Sequence, residues 1–187
     1  MFTPLFRYQL WSCCETEARP KNVSGDYLKS FDNKRTSSAV RVEKISAKSD
    51  LRKAFAIRIR VFVKEQGVPA EIELDRDDKR AIHFLAISAG KAIGTARIVM
   101  RQETVKIGRM AVLKKYRGKG VGMKLLERAV VVAKKLGARK IYLHAQVPVI
   151  GFYETFGFHC VGPVFDEAGI PHRKMILEEG SNRKGMS

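Results

Sequence analysis

The apolar period changes once between residues 104 and 136, and that change constrains the fold of this 187-residue chain more than any other feature. Residues 104–113 alternate as a strand does. The turn Arg117-Gly118-Lys119-Gly120-Val121-Gly122 follows. Then Val121, Leu125, Ala129, Val132 and Leu136 recur at helical spacing, with Leu126, Val130 and Ala133 widening the stripe. Gly137 is a natural C-terminal stop, and Lys134 and Lys135 suit the negative end of the helix dipole. Residues 140–145 read as a second strand. Strand, turn, helix and strand in this order form a right-handed crossover, so the two strands run parallel. A Gly-rich turn at a helix N-terminus also offers main-chain N–H groups and a positive dipole end to a phosphate.

The segments on either side read as antiparallel. Val40, Val42 and Ile45 begin a first strand, and Ser49 or Asp50 can cap a helix carrying Leu51, Ala54, Phe55, Ile57 and Arg58. A second short helical piece over residues 61–66 is stopped by Gly67 and Pro69. Residues 71–78 read as an acidic loop, which is either solvated or a lure for a cationic substrate. Residues 81–88 and 92–101 form a hairpin about Ala89-Gly90-Lys91. Pro148 opens a short helix through Phe152, Tyr153 and Phe156, which Gly157 ends. Residues 158–162 and 172–177 finish as strands, with residues 166–171 as the loop between them. The fold class is therefore α/β: a mixed, mostly antiparallel central sheet with a splayed parallel strand pair and flanking helices. One domain spans residues 40–179, between a leader at 1–39 and a tail at 180–187.

Charge and cysteine usage narrow the partners. Lys and Arg number 36 against 19 Asp and Glu, and the excess lies in the domain rather than the leader. Such a balance suits an anionic partner, although solvated helix faces account for part of it. Nucleic acid is disfavoured as that partner, because no platform of aromatic and basic residues and no helix-turn-helix signal is present. Cys13, Cys14 and Cys160 form no spaced pairs, which points to a reducing compartment and no metal. No apolar run is long enough to cross a bilayer, so no membrane partner is expected. In the leader, Pro4 and Arg7 break any secretory h-region. Its Arg, Lys and Ser leave organellar targeting open, while Glu15, Glu17, Asp26 and Asp32 argue against it. A cytoplasmic location is expected.

The turn at 117–122 lacks the Lys-Ser/Thr pair of a Walker loop. It also lacks the acidic residue that a dinucleotide fingerprint would place after the next strand, where Ile141 to His144 stand. Its form resembles the acyl-CoA-binding turn Q/R-x-x-G-x-G/A of the Gcn5-related N-acetyltransferase (GNAT) family. Val61-Phe62-Val63-Lys64-Glu65-Gln66-Gly67-Val68-Pro69, Ala111-Val112, Leu143-His144-Ala145-Gln146, Phe152-Tyr153-Glu154 with Gly157-Phe158, and Glu167-Ala168-Gly169-Ile170-Pro171-His172 are similar to a bacterial-type subgroup of that family. The resemblance covers about residues 40–178.

The resemblance implies an acetyl-CoA-dependent N-acetyltransferase that acts on a primary amine of a small molecule by direct attack in a ternary complex. Arg117, Gly118, Lys119, Gly120, Val121 and Gly122 would hold the CoA pyrophosphate, with glycines where a Cβ would block close approach. Lys114, Lys115 or Lys124 would reach the ribose phosphate. The main chain of Met110, Ala111 and Val112 would pair with the pantetheine arm and polarise the thioester carbonyl. Tyr153 would protonate the leaving thiolate, and the alternative for it is a packed aromatic. A base must also deprotonate the amine. Glu65 is the first candidate, and Asp75, His144 and His172 are the others. On residue pattern alone His144 suits a core position, and His83 reads as structural. A non-catalytic CoA-binding or nucleic-acid-associated module is the competing reading. The last strands could pair across a homodimer.

Overall fold

The parallel pair forms where the change of period puts it. In the computed structural model, which describes residues 39–178, β4 (Thr104–Val112) leads through α3 (Val121–Lys135) to β5 (Lys140–Gln146), and β4 and β5 pair in parallel. The other strands are β1 (Arg41–Lys44), β2 (Ile82–Ser88), β3 (Lys91–Arg101), β6 (His159–Glu167) and β7 (Ile170–Glu178). They complete a seven-stranded sheet in the order β1-β2-β3-β4-β5-β7-β6, and every other pair is antiparallel. The leader and tail assigned to 1–39 and 180–187 lie outside the described residues, apart from residue 39, as do Cys13 and Cys14.

The two faces of the sheet are covered unequally. On one face α3 buries Val121, Leu125, Leu126, Ala129 and Ala133 against Phe84, Ala86, Ile98, Val105, Ile107, Ile141 and Leu143. Each fully buried leucine there contributes about 1.5–3 kcal/mol. Leu136, expected on this stripe, is exposed, because the stripe turns toward Leu126 and Ala133 as the helix ends. Gly94 in β3 permits the contact, since a Cβ there would meet the Ala111 carbonyl at 3.1 Å and the Leu125 and Val121 side chains. The other face carries α1 (Lys48–Arg58), whose Ala54 and Ile57 pack on Leu85 and Ala111.

Several boundaries differ from the sequence reading. α1 starts at Lys48 behind Ala47, and neither Ser49 nor Asp50 caps it. Its helical dihedrals continue through Ile59 into a π-helical segment, Ile59–Glu65, so the two expected helical pieces form one rod. The rod ends at Gly67, in a left-handed conformation. The acidic loop contains a short helix, α2 (Ala70–Glu73), and a 3-10 turn, Arg76–Lys79. The loop expected at 166–171 is only a two-residue turn, because Ala168 and Gly169 both take positive φ and let β6 and β7 pair up to Glu167 and Ile170. Alanine seldom adopts that conformation, so composition does not signal the turn. The short helix after Pro148 forms as a 3-10 turn, Val147–Val149, followed by α4 (Ile150–Glu154).

Candidate active site

The site is organised by one extra residue in β4. Arg97 of β3 pairs with Gly108 and Thr95 pairs with Ala111, so Arg109 and Met110 together face the single residue Ala96. Arg109 has φ 51°, which marks a β-bulge. Before the bulge the odd-numbered Val105 and Ile107 enter the core under α3; after it Met110 and Val112 face that core, and Ala111 joins the core under α1. The pairing of β4 with β5 ends at Ile107 and Leu143, just before the bulge. β5 continues alongside β7 as far as Gln146 and His172. The two strands therefore part, and residues 110–112 border a gap with no β5 partner. This is the splayed pair expected from the sequence.

Buried ion pairs hold the bulge. Arg109 donates to the carbonyls of Ile72 and Glu73 and to the Asp75 carboxylate. Arg97 binds both Asp75 and Asp78, and Arg58, fully buried in α1, binds Glu73 and Asp78. Arginines of the domain take up Glu73, Asp75, Asp77 and Asp78, while Glu71 stays exposed, so for the most part the segment is neither a solvated loop nor a lure for cations. Burial works to raise the pKa of Asp75, yet the bonds and charge of Arg97, with Arg109, lower it to about 2. For Glu73 burial prevails over its arginines and the pKa is raised. His83 supports the same cluster: its Nε2 donates to the Asp78 carbonyl, burial lowers its pKa, and the structural reading of it stands.

Beyond Val112 the chain makes a 3-10 turn, Lys114–Tyr116, and then the glycine turn. Gly118 and Gly120 have φ near 71° and 73°, while a Cβ on either would meet nothing within 4 Å. Their glycine requirement is conformational. Gly122 differs: its hypothetical Cβ would lie 3.3 Å from Phe152, so it lets α4 approach α3. The main-chain N–H groups of residues 118–122 make no turn or loop bond to a carbonyl, and the first N–H groups of α3 have no acceptor within the helix. Lys114, Lys115 and Lys119 surround the turn in exposed positions. Lys115 and Lys119 lie over the Tyr116 ring. Lys124 instead bonds the Val40 carbonyl. Val121 contributes its main chain only, since its side chain is in the core. Free N–H groups, a helix dipole and nearby cations fit the diphosphate of an acyl-CoA, and the open edge at 110–112 fits its extended arm.

Arg117 and Glu65 meet at this turn. The Arg117 Nε donates to the Val112 carbonyl at 2.8 Å, and its Nη2 lies 2.5 Å from the Glu65 carboxylate. Tyr153 stands on α4, and its hydroxyl donates to the sulfur of Met110 at 3.9 Å. The candidate acid therefore borders the gap. Burial pushes the Tyr153 hydroxyl up to about 12, so the phenol keeps its proton at neutral pH.

His144 and His172 lie on the opposite face from α3. Along β5, Ile141, Leu143 and Ala145 enter the α3 core, so Tyr142, His144 and Gln146 face away from it. Far from being a core histidine, His144 is partly exposed, and its Nδ1 lies 2.7 Å from the Glu167 carboxylate and 3.2 Å from the Lys106 amine. The Phe165 ring meets it edge-on and also stacks on His172. His172 is buried and bonds the Ile170 carbonyl. Across the same face Gln66, at the end of the α1 rod, exchanges side-chain hydrogen bonds with Gln146. The sequence reading misses Glu167 because it assigns that residue to a loop, and it misses Lys106 because lysine on a strand reads as solvent-facing.

Residues 38–179 match the model of the acetyltransferase (GNAT) domain. The chain is 39% identical to the uncharacterized N-acetyltransferase YjcF of Bacillus subtilis over 132 residues, covering 68% of this chain and 92% of YjcF. It is 35% identical to the protein ElaA of Escherichia coli over 136 residues, covering 70% and 88% of the two chains. The crystal structure of E. coli ElaA superposes with a TM-score of 0.68 at 29% identity, over 75% of this chain and 100% of that one. An acyl-CoA N-acyltransferase from Pseudomonas aeruginosa gives a TM-score of 0.66 at 29% identity, over 75% and 99%.

Proposed function

We propose, because the chain belongs to the acetyltransferase (GNAT) family, that it moves an acetyl group from acetyl-CoA to a primary amine of a small molecule by direct attack in a ternary complex. The observation that carries the proposal is the convergence at the bulge: a main-chain edge at 110–112 with no β5 partner, a gap between parted strands, and a protonated phenol reaching that edge through Met110. The description of the Pseudomonas aeruginosa neighbour as an acyl-CoA N-acyltransferase supports the choice of donor.

Acetyl-CoA supplies an activated acyl group as a thioester. The chain's own part follows from its geometry. Residues 118–122 bind the diphosphate through main-chain N–H groups. The edge at 110–112 aligns the arm, and an N–H there polarises the acyl carbonyl. Tyr153 gives its proton to the departing sulfur, and a proton from the attacking nitrogen restores it. Arg117, held by Glu65 and Val112, fixes the start of the turn. Among the described residues no cysteine adjoins the gap in the sheet register: Cys160, on β6, pairs with Met175 of β7, and β6 is the third strand from β4, so Cys160 gives an acyl-cysteine route no support. The test is release of free thiol from acetyl-CoA with a panel of small amines, comparing wild type with Tyr153→Phe. Amine-dependent release that falls by about 10²–10⁴-fold in the variant is expected. A wild type that releases no thiol with any amine refutes the reading.

A further inference from the structure

We propose that His144 is the base that takes the proton from the incoming amine, with Glu167 as the residue that positions its ring. This rests on the proposed acetyl transfer and assigns the half of the proton chemistry that Tyr153 does not perform.

An alkylammonium has no lone pair, so it must lose a proton before it can attack. Three other groups had a claim to that task, and each is engaged. The Glu65 carboxylate is bound by Arg117 at the phosphate turn. Asp75 is clasped by Arg97 and Arg109. His172 is buried, with its ring bonded to a carbonyl.

His144 differs in place and in chemistry. The last β4–β5 pair is Ile107 with Leu143, so His144 is the first β5 residue beyond the point where the strands part. It faces away from α3, whereas Tyr153 and Met110 belong to the core beneath α3. Acid and base thus approach the gap from opposite faces of the sheet, which leaves the space between them for the acyl carbon and the nitrogen.

The tautomer follows from the partner. Glu167 is held near pKa 2, chiefly by its bond to His144, with burial opposing, so its carboxylate is ionised and can only accept. The shorter contact decides the tautomer: at 2.7 Å from that carboxylate Nδ1 carries the hydrogen, and Lys106, 3.2 Å from the same atom, then finds no lone pair there. In the neutral ring Nε2 then presents its lone pair. Among the described residues Nε2 has no protein partner, and it is not one of the sealed unpartnered atoms, so it reaches solvent. This is the logic of a carboxylate that orients an imidazole and stabilises it once it is charged. Around the ring stand Lys106 from β4, Tyr142 from β5, Glu167 and Phe165 from β6, and Lys174, its register neighbour on β7, while His172 acts on Glu167. Burial lowers the pKa of Lys106, and Glu167 opposes that shift. The balance closes as follows. The ammonium proton passes to Nε2 and on to solvent, the carbon–nitrogen bond forms as the carbon–sulfur bond breaks, and the nitrogen's second proton replaces the one Tyr153 gives to sulfur.

The decisive variant is His144→Asn, whose amide N–H can replace Nδ1–H toward Glu167 but offers nothing at the Nε2 position. With an alkylamine acceptor at neutral pH, kcat/KM should fall by about 10²–10⁴-fold. The deficit should shrink as pH rises and the amine loses its proton unaided, while acetyl-CoA binding stays at the wild-type value. Glu167→Gln should move the acid limb of the pH profile to lower pH. Nitrogen-15 spectra of the histidine rings give a readout that needs no turnover: wild type should show the Nδ1–H tautomer at His144, and Glu167→Gln should lose that bias. An active wild type with an unchanged His144→Asn, or a wild-type ring with its hydrogen on Nε2, overturns the assignment. A wild type that acetylates no amine removes the transfer reading itself, and this assignment with it.

Discussion

Two groups of basic side chains flank the open end of β4, and they differ in where their counter-charges lie. Arg58, Arg97 and Arg109 are matched within the chain by Glu73, Asp75 and Asp78, largely out of contact with water. Lys114, Lys115 and Lys119 form no ion pair among the described residues, and an aromatic ring is the only recorded partner of the last two. The first group is scaffold, because its charges are spent on fixing the bulge. The second is available to a ligand that brings the missing negative charge. Net charge alone does not distinguish them, since both add to the same +17.

Removing one charge from each group tests this contrast. The largest effect is expected for Arg58→Met, which takes from Glu73 and Asp78 their most buried partner, leaving them only Arg109 and Arg97, and should cost about 3–5 kcal/mol in denaturant unfolding. If the loss is under about 0.5 kcal/mol, the range ordinary at a surface site, the arginine group is no scaffold. Acid should act on the same group and spare the other. The folded pKa of Asp75 is depressed to about 2 and that of Asp78 is also lowered, so their stabilisation is complete above the ordinary aspartate range near 4. It is lost as pH falls toward 2, an effect of about 1–2 kcal/mol after solvent screening. Glu73, with its raised pKa, works the other way and offsets part of that loss. A thermal melting curve that is flat between pH 4 and pH 2 would contradict the scheme.

At the turn the effects are smaller and concern the ligand. Gly120→Ala should cost about 1 kcal/mol of stability, because alanine is strained at φ 73°, and should weaken acetyl-CoA binding in titration calorimetry. Lys119→Ala should be the mildest. Its stability should stay within about 0.5 kcal/mol of wild type. Its affinity for acetyl-CoA should drop several-fold in low salt, with the gap closing as salt is added. A deficit indifferent to salt would mean that Lys119 contributes packing instead of charge.

What could be read in advance followed the regular periods. The crossover from β4 through α3 to β5 was legible because alternation gives way to a 3.6-residue stripe at one glycine turn. The short helix after Pro148 that carries Tyr153 was legible too, whereas an acid's role for Tyr153 came only from the family resemblance. The bulge was not legible, because nothing local marks Arg109 as left-handed: its conformation is held by Glu73 and Asp75, more than thirty residues earlier. For the same reason residues 71–78 read as an acidic loop, either solvated or a lure for a cationic substrate, although the partners of Glu73, Asp75 and Asp78 lie on α1, β3 and β4. The His144–Glu167 pair was hidden by the turn at Ala168-Gly169, which brings Glu167 into β6. Local propensity does not report contacts made between distant strands.

The bulge also sets how this domain would respond to a change of length. Gly108 and Arg109 occupy the same side of β4, so a gene lacking only the Arg109 codon would encode a chain in which every later side chain keeps its present face. The hydrophobic pattern would be intact, although Glu73 and Asp75 would lose the charge of Arg109. But the kink would be gone, and β4 could run on beside β5 past Ile107 and Leu143, sealing the space between them. Such an allele would remove the bulge itself, which substitution at that position would not readily do.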